Sequence, residues 1–144
     1  MSTFAKNVVV PVDFSDESLI AVKTAIEIAG DPTRVQAIHV LPELHPAAPG
    51  VIWQTINDAD RKEHAMTALR SQLEDRKCDG VSLHIEFGDP GYRIAKHAEN
   101  IGADLIVIPS HGRSGIARLL LGSVAERVIR LAHCQILVLR SSSK

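Results

Sequence analysis

Aromatic side chains are scarce in this chain, with three Phe, one Tyr and one Trp. That scarcity leaves no platform on which the bases of a single-stranded nucleic acid could stack. An excess of charge is missing as well. The 16 Lys and Arg nearly balance the 17 Asp and Glu, for a net charge of -1. Neither nucleic acid nor an anionic membrane is therefore an expected partner. No apolar run approaches the about 20 residues that a membrane-spanning helix needs, so no membrane insertion is expected. The first residues, Met1-Ser2-Thr3-Phe4-Ala5-Lys6, lack the apolar core of a signal peptide. Cysteine is nearly absent too. Cys78 and Cys134 stand alone, with no Cys-x-x-Cys, and read as bystander thiols of a reduced, cytoplasmic protein.

What is present is the composition of an ordinary globular protein, 45% hydrophobic and 23% charged. The length fits one domain, residues 1–144, large enough to bury a core. There is no internal repeat and no linker.

Strand and helix patterns alternate along the chain. Asn7–Val12 is a near-continuous apolar run, as in a strand buried on both faces of a parallel sheet. Ser15, Asp16 and Glu17 open a helix whose apolar positions run to Ala29, and Gly30 stops it before Asp31-Pro32. Val35–Leu41 is a second strand. The proline-rich stretch from Pro42 to Trp53 is a loop. A helix from about Ile56 to Arg76 follows, with Ala65, Ala68, Leu69 and Leu73 on one side. Its Asp58, Asp60, Glu63 and His64 read as a solvated helix face rather than as metal ligands. Val81–Phe87 alternates as a third strand. Asp89-Pro90 then starts a helix that runs to Gly102. Capping accounts for Asp89 without a ligand. Ala103–Ile108 is the fourth strand and Gln135–Arg140 the fifth, ahead of a Ser-Ser-Ser-Lys tail.

Five strands alternating with helices predict an α/β fold: a doubly wound, open parallel sheet with helices on both faces. In such sheets ligands bind at the carboxyl ends of the strands. Asp13 follows the first strand at that edge. His39 lies on an apolar strand and reads as a packed histidine.

The stretch from Ile106 to Val124, IVIPSHGRSGIARLLLGSV, runs from a strand through a glycine loop and a connector to Gly122-Ser123 and a helix. Ser123 and Glu126 have the spacing of a capping box. Strand-to-helix turns of this kind hold phosphates, because glycine admits the ligand and free helix N–H groups point at the anion. The pattern is not a Walker A loop, and it does not fit Gly-x-Gly-x-x-Gly at a first strand.

Gly112, nine residues, and then Gly122-Ser123 resemble the nucleotide loop of the universal stress protein family. Val8-Val9-Val10-Pro11-Val12-Asp13-Phe14-Ser15 resembles that family's start, and the likeness spans nearly the whole chain. One departure stands out: the first glycine of the motif falls on Pro109, which keeps a turn but offers no N–H. The resemblance implies a Rossmann-like fold of the adenine nucleotide alpha hydrolase-like kind, with strand order 3-2-1-4-5. It implies a site at Pro11, Val12, Asp13, Val40, Ile108, Pro109, Ser110, His111, Gly112, Arg113, Gly122, Ser123 and Val124. Asp13 would lie against the adenosine, Val40 would meet the adenine through its backbone, and the N–H groups of Gly112, Gly122, Ser123 and Val124, with the Ser123 hydroxyl, would hold the phosphates. It also implies a homodimer through the last strand, Gln135 to Arg140.

The function expected from these features is binding of ATP or a related adenine nucleotide by a stress-response regulator that switches with occupancy and acts on an unidentified protein partner. His111, Arg113 and Arg118 would add positive charge near the phosphates. A Mg²⁺ or Mn²⁺ bridging the phosphates would need only one or two protein oxygens. No Ser/His/Asp set is present, so any hydrolysis is expected to be slow. Two alternatives belong to other classes. One is a dimeric interaction protein that binds no nucleotide. The other is a phosphoacceptor receiver domain, which the missing lysine after the fifth strand disfavours.

Overall fold

Valines that alternate in direction along the first strand set up two cores, one on each face of a sheet. In the computed structural model, which describes residues 5–43, 57–110 and 121–140, Val8, Val10 and Val12 enter one core and Val9 enters the other. The elements in chain order are β1 (Val8–Pro11), α1 (Asp16–Ala29), a 3₁₀ turn (Pro32–Arg34), β2 (Val35–Leu41), α2 (Asp58–Asp75), β3 (Ser82–Phe87), α3 (Pro90–Ile101), β4 (Leu105–Pro109), α4 (Ser123–Leu131) and β5 (Gln135–Leu139). The five strands form one sheet in the order β3-β2-β1-β4-β5. Every paired neighbour is parallel. The expected doubly wound topology is therefore the observed one.

Helices cover both faces. Leu19, Val22 and Ala25 of α1 and Leu69 and Leu73 of α2 pack with Val8, Val10 and Val107. Ile94 and Ala98 of α3 and Ala125 and Val128 of α4 pack with Val9, Ile38, Ile106 and Ile108. Side chains start three of the helices. Ser15 accepts from the Ser18 N–H, Asn57 from the Asp60 N–H and Asp89 from the Tyr92 N–H. Gly30 and Gly102 end α1 and α3 at φ 81° and 66°, a left-handed backbone that glycine adopts without strain.

β4 begins at Leu105, two residues later than the apolar pattern predicts. Ala103 returns its N–H to the Ala98 carbonyl and so belongs to the end of α3. Asp104 accepts the N–H groups of Lys6 and Asn7 at 2.9 and 3.0 Å, fastening the start of β4 beside that of β1.

A polar chain stitches α3 to the sheet. Asn7 donates to the Ile101 carbonyl, Gln36 donates to Asn7, and the His97 Nε2 meets the Gln36 Oε1 at 3.2 Å. The His97 ring also lies against His84 of β3, with centroids 4.6 Å apart. Burial, with the nearby His84, pushes the His97 imidazole below its ordinary pKa, against a smaller opposing effect of Glu86. The unfolded chain then binds a proton at higher pH than the native one does. Stability contributed here is complete above the unfolded pKa of about 6.5 and declines as pH falls below it. Urea unfolding at pH 7.5 and 5.5 is expected to show lower stability at pH 5.5, with a smaller loss in His97→Gln.

Candidate functional site

The sheet opens where proline interrupts it. β1 and β4 pair at Val8 with Leu105 and at Val9 with Ile106, and no further. Val12 still donates to Ile38 on the β2 side at 2.8 Å. Alternation along a parallel strand therefore turns residue 11 toward β4. The next rung to β4 would need its N–H, and proline has none. The strands part there, and the crevice at the carboxyl edge begins.

Each side of the crevice is then fixed by short bonds. After β1 the chain reverses through Asp13, whose Oδ1 accepts the Ser15 N–H at 3.1 Å and the Ser15 hydroxyl. Phe14 sits between them at φ 68°, unusual for a residue with a side chain. Ser18 completes the turn, accepting from the Asp13 N–H and donating to the Ser15 carbonyl. The His39 Nδ1 reaches the Val12 carbonyl at 2.7 Å, and the His39 ring meets Phe14 edge-on. Across the crevice, the Ser110 N–H donates to Leu139, and the Ser110 carbonyl accepts the Gly122 N–H at 2.6 Å.

Between these sides lies a cavity of about 350 Å³. This is within the range of small-molecule sites, which run from about 300 to 1,000 Å³. The end of β1 contributes Pro11, Val12 and Asp13, and α1 contributes Ser18. β2 supplies Ile38, His39 and Val40, and β4 and its exit supply Ile108, Pro109 and Ser110. Pro90 and Ile94 of α3 form one wall, and Gly122, Ser123, Val124 and Ala125 form another. The lining joins apolar side chains to a carboxylate, three serines and the first turn of a helix. Such a lining suits a ligand with a flat apolar part and an anionic part.

The structure thus gathers Pro11, Val12, Asp13, Val40, Ile108, Pro109, Ser110, Gly122, Ser123 and Val124 around one space. His111, Gly112 and Arg113, together with Arg118 and the loop from residue 44 to 53, lie outside the described residues. The lining also takes in Ser18, Ile38, His39, Pro90, Ile94 and Ala125, which the sequence motifs do not mark. Ile38 and Ile94 carried a signal, since one stands two strand residues from Val40 and the other one turn beyond Pro90.

The capping box at Ser123 is not formed. Gly122 is the N-cap, with no side-chain hydrogen bond, and Ser123 is already helical. The cause is the bond from Gly122 to Ser110, which holds Gly122 extended (φ −66°, ψ 159°) and starts the helix one residue early. Glu126 instead pairs with Arg130 at 2.9 Å. Two consequences follow. The Gly122 N–H is already engaged and so is not the phosphate donor expected of it, and among the described residues no side chain caps the first-turn N–H groups of α4, unlike those of α1, α2 and α3.

Asp89 has the capping role read from the sequence. It accepts the Tyr92 N–H at 2.9 Å and the Arg127 Nε at 2.7 Å. The backbone bond and then the guanidinium hold its carboxyl below the usual carboxylate range. Asp89 thereby ties the start of α3 to α4, whose first turns both line the cavity. Among the described residues no group of three or more His, Cys, Asp or Glu could hold a metal ion. None of the described helices is long and apolar enough to cross a membrane.

The family model for the universal stress protein family matches residues 5–140. Universal stress protein MJ0531 of Methanocaldococcus jannaschii is 41% identical, over 96% of this chain and 84% of that protein. Among solved structures, hypothetical protein MJ0577 aligns with a TM-score of 0.74 at 29% identity, covering 96% of this chain and 98% of the other. A universal stress protein in complex with cAMP aligns with a TM-score of 0.63 at 27% identity, covering the same 96% and 98%.

Proposed function

The chain belongs to the universal stress protein family, and from that premise we propose that it binds an adenine nucleotide, ATP foremost, as an occupancy-dependent regulatory switch. The observation that carries the proposal is the meeting, in one cavity, of the Val40 strand edge and the uncapped start of α4. A base lies between the apolar walls from Ile38, Ile94 and Ile108. The phosphates lie at the first turn of Ser123–Leu131, where the N–H groups of Ser123, Val124 and Ala125 and the helix dipole favour an anion. Each charge-assisted bond there is worth about 1.5–3 kcal/mol. Gly122 serves by leaving room rather than by donating. The cAMP complex of a structural neighbour supports the same ligand class.

Gly112 adds a further phosphate donor, and His111 and Arg113 add positive charge. A Mg²⁺ or Mn²⁺ would be held mainly by the phosphates, with Asp13 the protein carboxylate on the cavity wall. Hydrolysis is slow, and nucleotide occupancy is the signal read by a protein partner. Residues 1–144 act as one domain in the cytoplasm, a setting suited to the free thiols of Cys78 and Cys134. β5 pairs with β4 on one edge and leaves Leu137 exposed. A second copy joined through this strand makes a homodimer.

ATP protection against heat tests the reading. Ligand at 100 times its dissociation constant adds about 2.7 kcal/mol of stability. For a chain of this size that raises Tm by roughly 5–10 °C. ATP without effect on Tm at millimolar concentration favours the interaction-protein alternative.

A further inference from the structure

The strand edge at Val40 lines the cavity with no backbone partner on the β1 side. In a parallel pair, alternate residues of a strand bond to the same neighbour. Ile38 accepts the Val12 N–H and so faces β1. Val40, two residues on, faces β1 as well, and its N–H would ordinarily bond to the Val12 carbonyl. Here that carbonyl accepts the His39 Nδ1 at 2.7 Å instead. Val12 and Val40 both line the cavity, and no backbone bond joins them.

We infer that His39 is a positioning residue: by holding the Val12 carbonyl, it stops the β1–β2 ladder one rung short and leaves the Val40 N–H and C=O to read the hydrogen-bonding edge of the base. A carbonyl only accepts, so the imidazole carries its proton on Nδ1. Phe14, held at φ 68° by the Asp13–Ser15 turn, meets the ring edge-on and fixes its plane. A free N–H beside a free C=O matches adenine, whose N1 accepts and whose N6 donates. It opposes guanine, which presents a donor at N1 and an acceptor at O6. A site built on such bonds rejects the mismatched base because its own polar groups would be left unpaired. His39 therefore sets base selectivity without touching the base. The inference rests on the proposed nucleotide site.

Three proteins test it: wild type, His39→Phe and His39→Asn. Phenylalanine keeps the ring but loses the donor, so Val40 closes the rung. The asparagine amide nitrogen occupies the place of Nδ1 and restores the bond. The ratio of GTP to ATP dissociation constants, from calorimetry, is expected to fall at least about tenfold in His39→Phe and to recover in His39→Asn. A loss of packing alone would lower Tm in both variants without this rescue. Amide exchange supplies a readout that needs no ligand: the Val40 N–H exchanges fast in wild type and His39→Asn and slowly in His39→Phe. Unchanged selectivity together with unchanged Val40 exchange in His39→Phe overturns the inference, as does an Nε2–H tautomer of His39 in nitrogen NMR. A wild type that binds neither nucleotide defeats the proposed function instead, and the exchange and tautomer results still decide the role of His39.

Discussion

Gly122→Asp is expected to weaken ATP binding at least about 100-fold while leaving the protein folded. Gly122 is the N-cap of Ser123–Leu131, in an extended conformation open to any residue, and among the described residues no side chain caps the helix. Aspartate is among the best N-cap residues, and its carboxylate accepts first-turn N–H groups. Those are the donors assigned to the phosphates, so the new side chain competes for them and adds a like charge beside the anion. Losing two charge-assisted bonds at about 1.5–3 kcal/mol each corresponds to a factor of 100 or more in affinity. The helix itself gains a cap, so Tm should hold or rise slightly. Calorimetry with ATP and a thermal melt of the same sample check both halves. Wild-type affinity in a folded variant would put the phosphates elsewhere.

Gly91→Val carries the largest expected loss of stability. Gly91 is buried in the first turn of α3, where that helix crosses α4. A Cβ built on it would stand 2.6 Å from both the Cβ and the Cγ of Arg127. Those atoms sit near the α4 backbone, so relief requires the helices to separate. Overpacking of this kind costs about 1–3 kcal/mol, and valine adds two more methyl groups at the contact. For a chain of this size the expected fall in Tm is about 5–10 °C. Separation also strains the 2.7 Å Asp89–Arg127 bond and moves Pro90 and Ile94 away from Ser123–Ala125 across the cavity. Binding should therefore weaken along with stability. Denaturant unfolding of Gly91→Val and the milder Gly91→Ala checks the order, with alanine intermediate. A valine variant as stable as wild type would mean that the α3–α4 contact is looser than its geometry implies.

Local signals carried most of the fold. Gly30, Asp89-Pro90 and Gly102 mark helix ends through backbone conformation and capping, which neighbouring residues decide. Valine-rich Val8–Pro11 and the alternation across Ser82–Phe87 mark strands through burial, which repeats along the chain. The candidate site was legible to the extent that strand ends and helix starts fall on one edge of a doubly wound sheet. What escaped was set by contacts between residues distant in sequence. Ser123 and Glu126 have the right spacing for a capping box, but Ser110 holds the Gly122 N–H and moves the helix start. His39 reads as core packing until Val12 is beside it. Asn7, Gln36, His84 and His97 come from β1's approach, β2, β3 and α3, and no local pattern joins them. Pro11 was named for its place in the motif. Its effect in opening the sheet emerged only from the register of the neighbouring strands.

The most direct test of the central claim is to denature freshly purified protein, identify the small molecules it releases by mass spectrometry, and titrate the stripped, refolded chain with ATP in a calorimeter. The account predicts a released adenine nucleotide or micromolar binding of ATP, with Pro109 tolerated in place of glycine. No released nucleotide and no binding heat would contradict it, and would leave a protein that keeps the universal stress protein fold and acts through its surface alone.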